Sequence, residues 1–245
     1  MIATRVVLAE TLDGLAAEDP AAQRSRRDLR RIHRVMRTRA ILRRALQDSL
    51  RGGPGPGPLR ILEIGAGDGT LLLGLARDLA ARLPPVTLTL LDRQQLLAPD
   101  TVAAYARLGW TARMQAADIH TWAVAADGPG GADGPWDLIV ANLFLHHFTA
   151  EPLAGLLRAI ARRCERFVAV EPRRARLAWI ASHFVGLLGA NAVTREDAVL
   201  SVQAGFHGAE IGAIWGQDPA WRVREYPAGM FSHVFLAVRV GPVPS

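Results

Sequence analysis

Three glycines at alternate positions, Gly65-Ala66-Gly67-Asp68-Gly69, constrain this chain more than any other feature. They sit between a short apolar segment, 59–64, and a Leu/Ala-rich one, 69–83, which read as a buried strand and a helix. Without Cβ atoms the backbone there can turn sharply and lie close against a ligand. The helix that follows offers free N–H groups at its start. A strand, glycine loop and helix in that order belong to open α/β sheets, which bind ligands at the carboxyl ends of their strands.

The rest of the chain agrees with such a sheet. Strands at 59–64, 86–91, 111–116, 136–143 and 167–170 alternate with helices at 69–83, 99–108 and 151–163. Apolar strands separated by helices predict a parallel sheet covered on both faces. Segments 174–189 and 195–204 read as further helices, the second capped by Thr194 with Asp197 three residues on. Segments 209–215 and 232–240 read as strands with only a loop between them, hence as antiparallel neighbours. The expected fold is a doubly wound, mostly parallel, seven-stranded α/β sheet ending in an antiparallel pair. Residues 1–51 read as an N-terminal helical extension or lid. Its one long helix, 21–50, carries Leu29, Ile32, Val35, Met36, Ile41, Leu42 and Leu46 at helical spacing. The Gly/Pro run 52–58 reads as a linker, 59–245 as the main domain, and the Gly/Pro-dense stretch 127–135 as a surface loop.

Composition narrows the function classes. Half of the 245 residues are hydrophobic, enough for a sizeable core. A net charge of +6 invites a nucleic-acid reading, but the chain has no lysine, and ten of its arginines crowd between Arg24 and Arg44. That run reads as a solvated helix face, with RNA or an acidic partner as the alternative. One cysteine, Cys164, leaves no internal disulfide or cysteine-based zinc site and reads as a small buried hydrophobe. No run is apolar enough to cross a bilayer. The start, with Arg5, Glu10 and Asp13, lacks a signal-peptide pattern, so a cytoplasmic protein with no membrane partner is expected.

Spacing decides the ligand of the glycine loop. A diphosphate wants G-x-G-x-x-G, whereas this loop is G-x-G-x-G preceded by the acidic Glu63, which suits a cation. Asp92 ends the second strand, where a carboxylate can accept both ribose hydroxyls of an adenosine. Asp118 follows the third strand. Together these residues resemble the cofactor motifs of class I S-adenosylmethionine-dependent methyltransferases, the small-molecule type. The resemblance covers roughly residues 59–172. It implies S-adenosylmethionine as cofactor, with Glu63 serving its amino-acid end and Asp118 its adenine amino group. Gly65, Ala66, Gly67, Asp68 and Gly69 would form the loop around it. Arg93, Ile119, Asn142 and Leu143 would stand beside it at the same strand ends.

The acceptor is approached through the fourth strand, which ends Asn142-Leu143-Phe144-Leu145-His146-His147-Phe148. The Asn/Asp-Pro-Pro-aromatic motif that grips a nucleobase is absent, which makes nucleic acid an unlikely acceptor class. Asn142 and Glu171 alone are too few for a hard cation, so a metal-independent enzyme is expected. The Leu-His-His-Phe ending is similar to ubiquinone/menaquinone-biosynthesis and phenolic O-methyltransferases. In the phenolic enzymes the histidine matching His146 takes the phenol proton and an acid matching Glu171 orients it. His147 departs from the aspartate found there. Histidine pairs at this place also occur where they only shape the cofactor pocket. Trp179 and His183, with Phe184, share a helix face beyond the fifth strand. With His147 and Met36 they are candidates to line an aromatic acceptor pocket, and His33 is a lid candidate on the first helix. His233 is an alternative base. The expectation is O-methylation of a small apolar, phenolic acceptor, and the surroundings of the motif are similar to enzymes of bacterial phenolic polyketide pathways. C-methylation of a quinone precursor and a catalytically idle cofactor-binding or interaction protein are the rivals, and a homodimer is possible in any of them.

Overall fold

A computed structural model of the chain describes residues 4–51, 53, 57–124 and 135–240. The linker positions 52 and 54–56, and the expected surface loop apart from Pro135, lie outside the described residues.

Seven strands form one sheet, β1 (Leu59–Ile64), β2 (Val86–Asp92), β3 (Trp110–Ala116), β4 (Leu138–Asn142), β5 (Arg166–Pro172), β6 (Trp221–Ala228) and β7 (Ser232–Arg239). Their order is β3-β2-β1-β4-β5-β7-β6. The first five run parallel, and β7 pairs antiparallel with both β5 and β6. The doubly wound expectation holds, and the chain reverses its strand order beside β1, where such sheets open a crevice.

Helices cover both faces. On one side Leu72, Leu75 and Ala76 of α4 (Thr70–Leu79) and Tyr105 of α5 (Pro99–Ala106) join alternate residues of β1, β2, β4, β5 and β7 in one core. Leu42, Ala45 and Leu46 of α3 (Thr38–Ser49) belong to the same core, each buried. Burial of one such leucine stabilises by about 1.5–3 kcal/mol. On the other side, α6 (Ile119–Val124), α7 (Ala150–Ala161) and α10 (Glu210–Trp215) cover the opposite residues of the strands. Cys164 is buried in that second core, as expected of it.

Several elements differ from the sequence reading. The long first helix is two, α2 (Pro20–Val35) and α3, because Arg37 turns left-handed at φ 58°. A short helix, α1 (Thr11–Gly14), precedes them. The segment 209–215 is helix rather than strand: Ile211, Ile214 and Trp215 repeat at helical spacing, and the Glu225 carboxylate receives the amides of Ile211 and Gly212. The antiparallel partner of β7 is instead β6. Segment 174–189 contains only α8 (Arg176–Ser182) and a 3₁₀ turn, Val185–Leu188. The helix expected at 195–204 is α9 (Ala192–Ala204); it starts earlier and is capped by Asn191, while Asp197 is used elsewhere.

Candidate active site

The glycine loop joins β1 to α4 with Gly65, Gly67 and Gly69 at φ 67°, 55° and 70°. Gly65 has no substitute: a Cβ there would lie 2.3 Å from the Phe144 ring, besides the left-handed strain. Its amide and that of Ala66 bond the Leu91 carbonyl, which ties the loop to β2. Above Gly67 nothing lies within 4 Å of where a Cβ would be.

Carboxylates ring this loop. Asp92 receives the Gly67 amide on one oxygen (2.8 Å) and the Gln94 amide on the other (3.0 Å). Each oxygen keeps a further lone pair for an outside donor. Asp118 caps α6 through one oxygen, receiving His120 at 2.8 Å and Thr121 at 3.3 Å, and its other oxygen can serve a ligand. Asp68 accepts from Thr70 and from Arg30 of α2, so it secures the loop. Glu63 differs from these. It is buried on β1, and its Oε2 has no partner. Burial, aided by the charges of Asp68 and Asp92, pushes its pKa up to about 8. Asn142 likewise leaves its buried Oδ1 unpartnered. Such orphaned groups cost about 1–3 kcal/mol unless a ligand satisfies them.

The second cluster forms where β4 ends. Leu143 adopts φ 51°, costly for a branched residue. The turn it makes points the amides of Phe144, Leu145 and His146 at the Glu171 carboxylate on β5, at 3.0, 2.9 and 3.3 Å. The same carboxylate holds His146 Nδ1 at 2.8 Å, so the two expected catalytic residues do meet. On the other ring nitrogen, Nε2, sits Glu10 at 3.2 Å. Burial by itself lowers the His146 pKa, but hydrogen bonds and charge from Glu10 and Glu171 outweigh it and bring the value to about 9. Glu10 is partly buried, which raises its pKa, yet His146, the His147 charge and a Ser201 hydroxyl together hold it below the ordinary carboxylate value. With both nitrogens facing carboxylates, the ring is an imidazolium at neutral pH.

Glu10 belongs to an N-terminal strap that lies across the strand ends. Arg5 donates to the carbonyls of Ala204 and His146 and stacks on Phe206. Thr11 and Leu12 donate to Asp197 of α9. Arg93 donates to the Asp13 carbonyl and Gln94 to that of Leu15, so Arg93 ties down the strap. Asp13 in turn lies 3.2 Å from Nδ1 of His147, whose ring lies tilted with its centre 4.1 Å from that of His146. Burial and then the His146 charge lower the His147 pKa. Glu10, His146 and His147 bring ligand atoms within 4.8 Å of one another, close enough to hold a metal ion.

No family model matches the chain, and no curated protein sequence does. Solved structures do. The plantazolicin methyltransferase BpumL, in complex with a triazolic desmethylPZN analog and SAH, aligns over 90% of this chain and 92% of its own, with TM-score 0.63 and 13% identity. Its complex with a monoazolic analog aligns at TM-score 0.62 and 15% identity, over 90% and 91% of the two chains. The chain has the class I methyltransferase fold. Magnesium protoporphyrin IX methyltransferase from Synechocystis PCC 6803, with bound SAM, aligns over 94% of this chain and 88% of its own, with TM-score 0.50 and 16% identity.

Within that methyltransferase fold, the expected cofactor residues Glu63, Asp92, Asp118 and Asn142 all stand at the carboxyl ends of adjacent strands. Ile119 opens α6 among the buried residues. The acceptor candidates divide. His147 adjoins His146, but Trp179 on α8 and His183 just after it lie exposed, edge-on to each other at 4.5 Å. Among the described residues no hydrogen bond or ring contact joins them to His146. Met36 ends α2, half-buried. His33 is pushed down to about 4 by burial, against the raising effect of Asp68, so it is neutral. His233, the alternative base, is bound to Glu225 at 2.7 Å within the network that caps α10. Sequence reasoning missed Glu10, Asp13 and Phe144. No local signal could have found Glu10, which lies 136 residues from its partner.

Proposed function

We propose that the protein transfers the methyl group of S-adenosylmethionine to the hydroxyl oxygen of a small apolar, phenolic acceptor. One observation above all supports this: Glu63 is a buried carboxyl with an unpartnered oxygen beneath a glycine loop flanked by Asp92 and Asp118. When bound, the sulfonium supplies an electrophilic methyl group. Glu63 faces the ammonium end, Asp92 accepts from the ribose hydroxyls and Asp118 from the adenine amine.

His146 and Glu171 activate the acceptor. With Glu10 in place the ring is already protonated and cannot take a proton. A phenol that displaces Glu10 from Nε2 would leave the ring held by Glu171 alone; the Nε2 proton would depart with the Glu10 carboxyl or to solvent, and Nε2 would then be free to accept. The bound cofactor would supply the methyl group to the phenolic oxygen and leave as S-adenosylhomocysteine, while His146 would keep the phenolic proton. Three backbone amides keep Glu171 fixed while this happens.

Calorimetric titration with S-adenosylmethionine, S-adenosylhomocysteine and NAD tests the cofactor. Micromolar binding of the first two and none of NAD is expected, and binding of NAD alone would overturn the reading. Mass spectrometry on a panel of phenols then tests the acceptor. A new O–CH₃ group is expected; a C–CH₃ product would transfer the site to ring methylation, and cofactor binding without turnover on any phenol would favour the idle protein. Turnover is expected to survive a chelator, and its loss would give Glu10, His146 and His147 to a metal.

A further inference from the structure

The helix α8 and the 3₁₀ turn after it form an apolar ridge left uncovered by the described residues. Leu177, Trp179, Ile180, Phe184, Leu187 and Leu188 are 39–84% exposed, whereas α8 buries only Ala178 and Ser182. A surface helix ordinarily turns its apolar stripe inward. Single exposed apolar residues need no explanation, but six within twelve positions do.

Along the chain the ridge is flanked by arginine, although Arg174 is buried and paired with Glu210 and α9 beyond the ridge carries the exposed Glu196. No Asp or Glu occurs between Glu171 and Glu196, a stretch that holds Arg173, Arg174, Arg176 and Arg195. The turn packs against α2, and Arg31 of that helix donates to the Gly189 carbonyl at the ridge's end. There Arg24, Arg27, Arg30, Arg31 and Arg34 rim a recess with Asp28. Arg30 is paired with Asp68 and Arg31 with Asp28. Arg24, Arg27 and Arg34 have no carboxylate partner among the described residues.

We infer that this composite face docks the protein on an anionic phospholipid surface. Headgroup phosphates would sit among Arg24, Arg27 and Arg34, with Phe184, Leu187 and Leu188 at the acyl boundary. No described helix is long and apolar enough to cross a membrane, so the contact lies on the bilayer plane. RNA would use the arginines and could stack bases on Trp179 and Phe184, but it would leave Leu177, Ile180, Leu187 and Leu188 in water. A second copy would cover the ridge, but a two-fold contact would bring identical arginine faces together. An anionic bilayer satisfies both halves of the surface. The inference does not rest on the methyl-transfer reading.

Co-sedimentation of the full chain with phosphatidylcholine vesicles, with and without phosphatidylglycerol, tests it. Binding is expected to rise about tenfold or more when phosphatidylglycerol is present, and to fall with salt. Two variants, Phe184→Ser with Leu187→Ser, and Arg24→Gln with Arg27→Gln and Arg34→Gln, should each lose about tenfold, with melting temperature and circular dichroism reporting that they fold. Equal binding to both vesicle types, or an apolar variant that binds like the parent, would overturn the inference. A parent that fails to bind vesicles would overturn it too. If that parent is a dimer and the apolar variant a monomer, the ridge belongs to a second copy. If it binds RNA through the arginines, the face belongs to nucleic acid.

Discussion

The carboxyl ends of β1–β3 and those of β4–β5 are built by different means. The first group is local. Three glycines with positive φ, a carboxylate closing each strand and the start of α4 all lie within a few residues of the turns they shape. The second is assembled from afar. Glu171 reaches back 25 residues to His146, and Glu10 is brought 136 residues along the chain to the other side of the same ring. Backbone conformation prepares the cofactor half, whereas tertiary contact sets the protonation state of the acceptor half. Binding of cofactor and activation of acceptor should therefore fail separately.

The sharpest way to break that comparison is His146→Ala. Turnover is expected to fall about 10²–10⁴-fold, the range for loss of a general base. Cofactor affinity should stay as it was, because no cofactor candidate bonds this ring. A mild loss of turnover would return His146 to a purely structural role. Steady-state kinetics beside calorimetry separates the two halves in one pair of measurements.

Asp92→Ala probes the other half with a smaller effect. Hydrogen bonds to a charged acceptor are worth about 1.5–3 kcal/mol, so the cofactor Kd should rise roughly ten- to a hundredfold. Asp92 also receives the Gly67 amide, and Asp92→Asn, which keeps an acceptor oxygen, should lose less. An unchanged affinity in both variants would remove the ribose from this carboxylate.

What was legible in the sequence follows the same division. Gly65, Glu63, Asp92 and Asp118 could be read because strand, turn and helix punctuate the chain at each of them. The sheet and its antiparallel end were readable from apolar runs, but β6 was misplaced onto 209–215. That segment is short and apolar, its helical spacing spans barely one turn, and Glu225 caps it as helix from the next strand. The break at Arg37 escaped because the apolar spacing of 21–50 runs through it. His146 with Glu171 was readable as a pair of motif positions. The role of 1–14 was not: Arg5, Glu10 and Asp13 bore only on targeting, since nothing in spacing tells which distant group a carboxylate will meet.

The strap offers a finer test, Glu10→Gln. His146 stands near 9 because two carboxylates favour its cation over the contrary pull of burial. Removing one charge lowers the folded-state pKa. A base acts only when deprotonated, so kcat/KM of the parent should climb as pH rises toward 9, and that limb should move to lower pH in the variant. Stability should shift too. A histidine whose folded pKa is raised from 6.5 stabilises fully below that value and loses the contribution as pH rises through 9. The parent's excess stability over Glu10→Gln should therefore shrink across that window in pH-dependent melting. A pH profile identical in parent and variant would mean that Glu10 has already left the ring in the working enzyme.

The smallest expected effect lies in the cofactor half and needs no variant. Glu63 is raised from 4.5 to about 8 by burial and by its acidic neighbours, so at pH 7 it is protonated in the free protein. An ammonium group placed against it favours the carboxylate and draws the pKa down. Binding of S-adenosylmethionine at pH 7 should then release roughly one proton. Titrations in phosphate and in Tris, whose ionisation enthalpies differ widely, would reveal it as a difference in apparent binding enthalpy. Below the pKa of the bound form Glu63 is protonated in both free and bound protein, and above 8 the free protein already holds the anion, so release should fade at both ends. Equal enthalpies in the two buffers at pH 7 would mean that no proton moves and that the cation is held elsewhere. The proton count thus asks of Glu63 what the pH profile asks of His146, whether its partner is a ligand or another part of the chain.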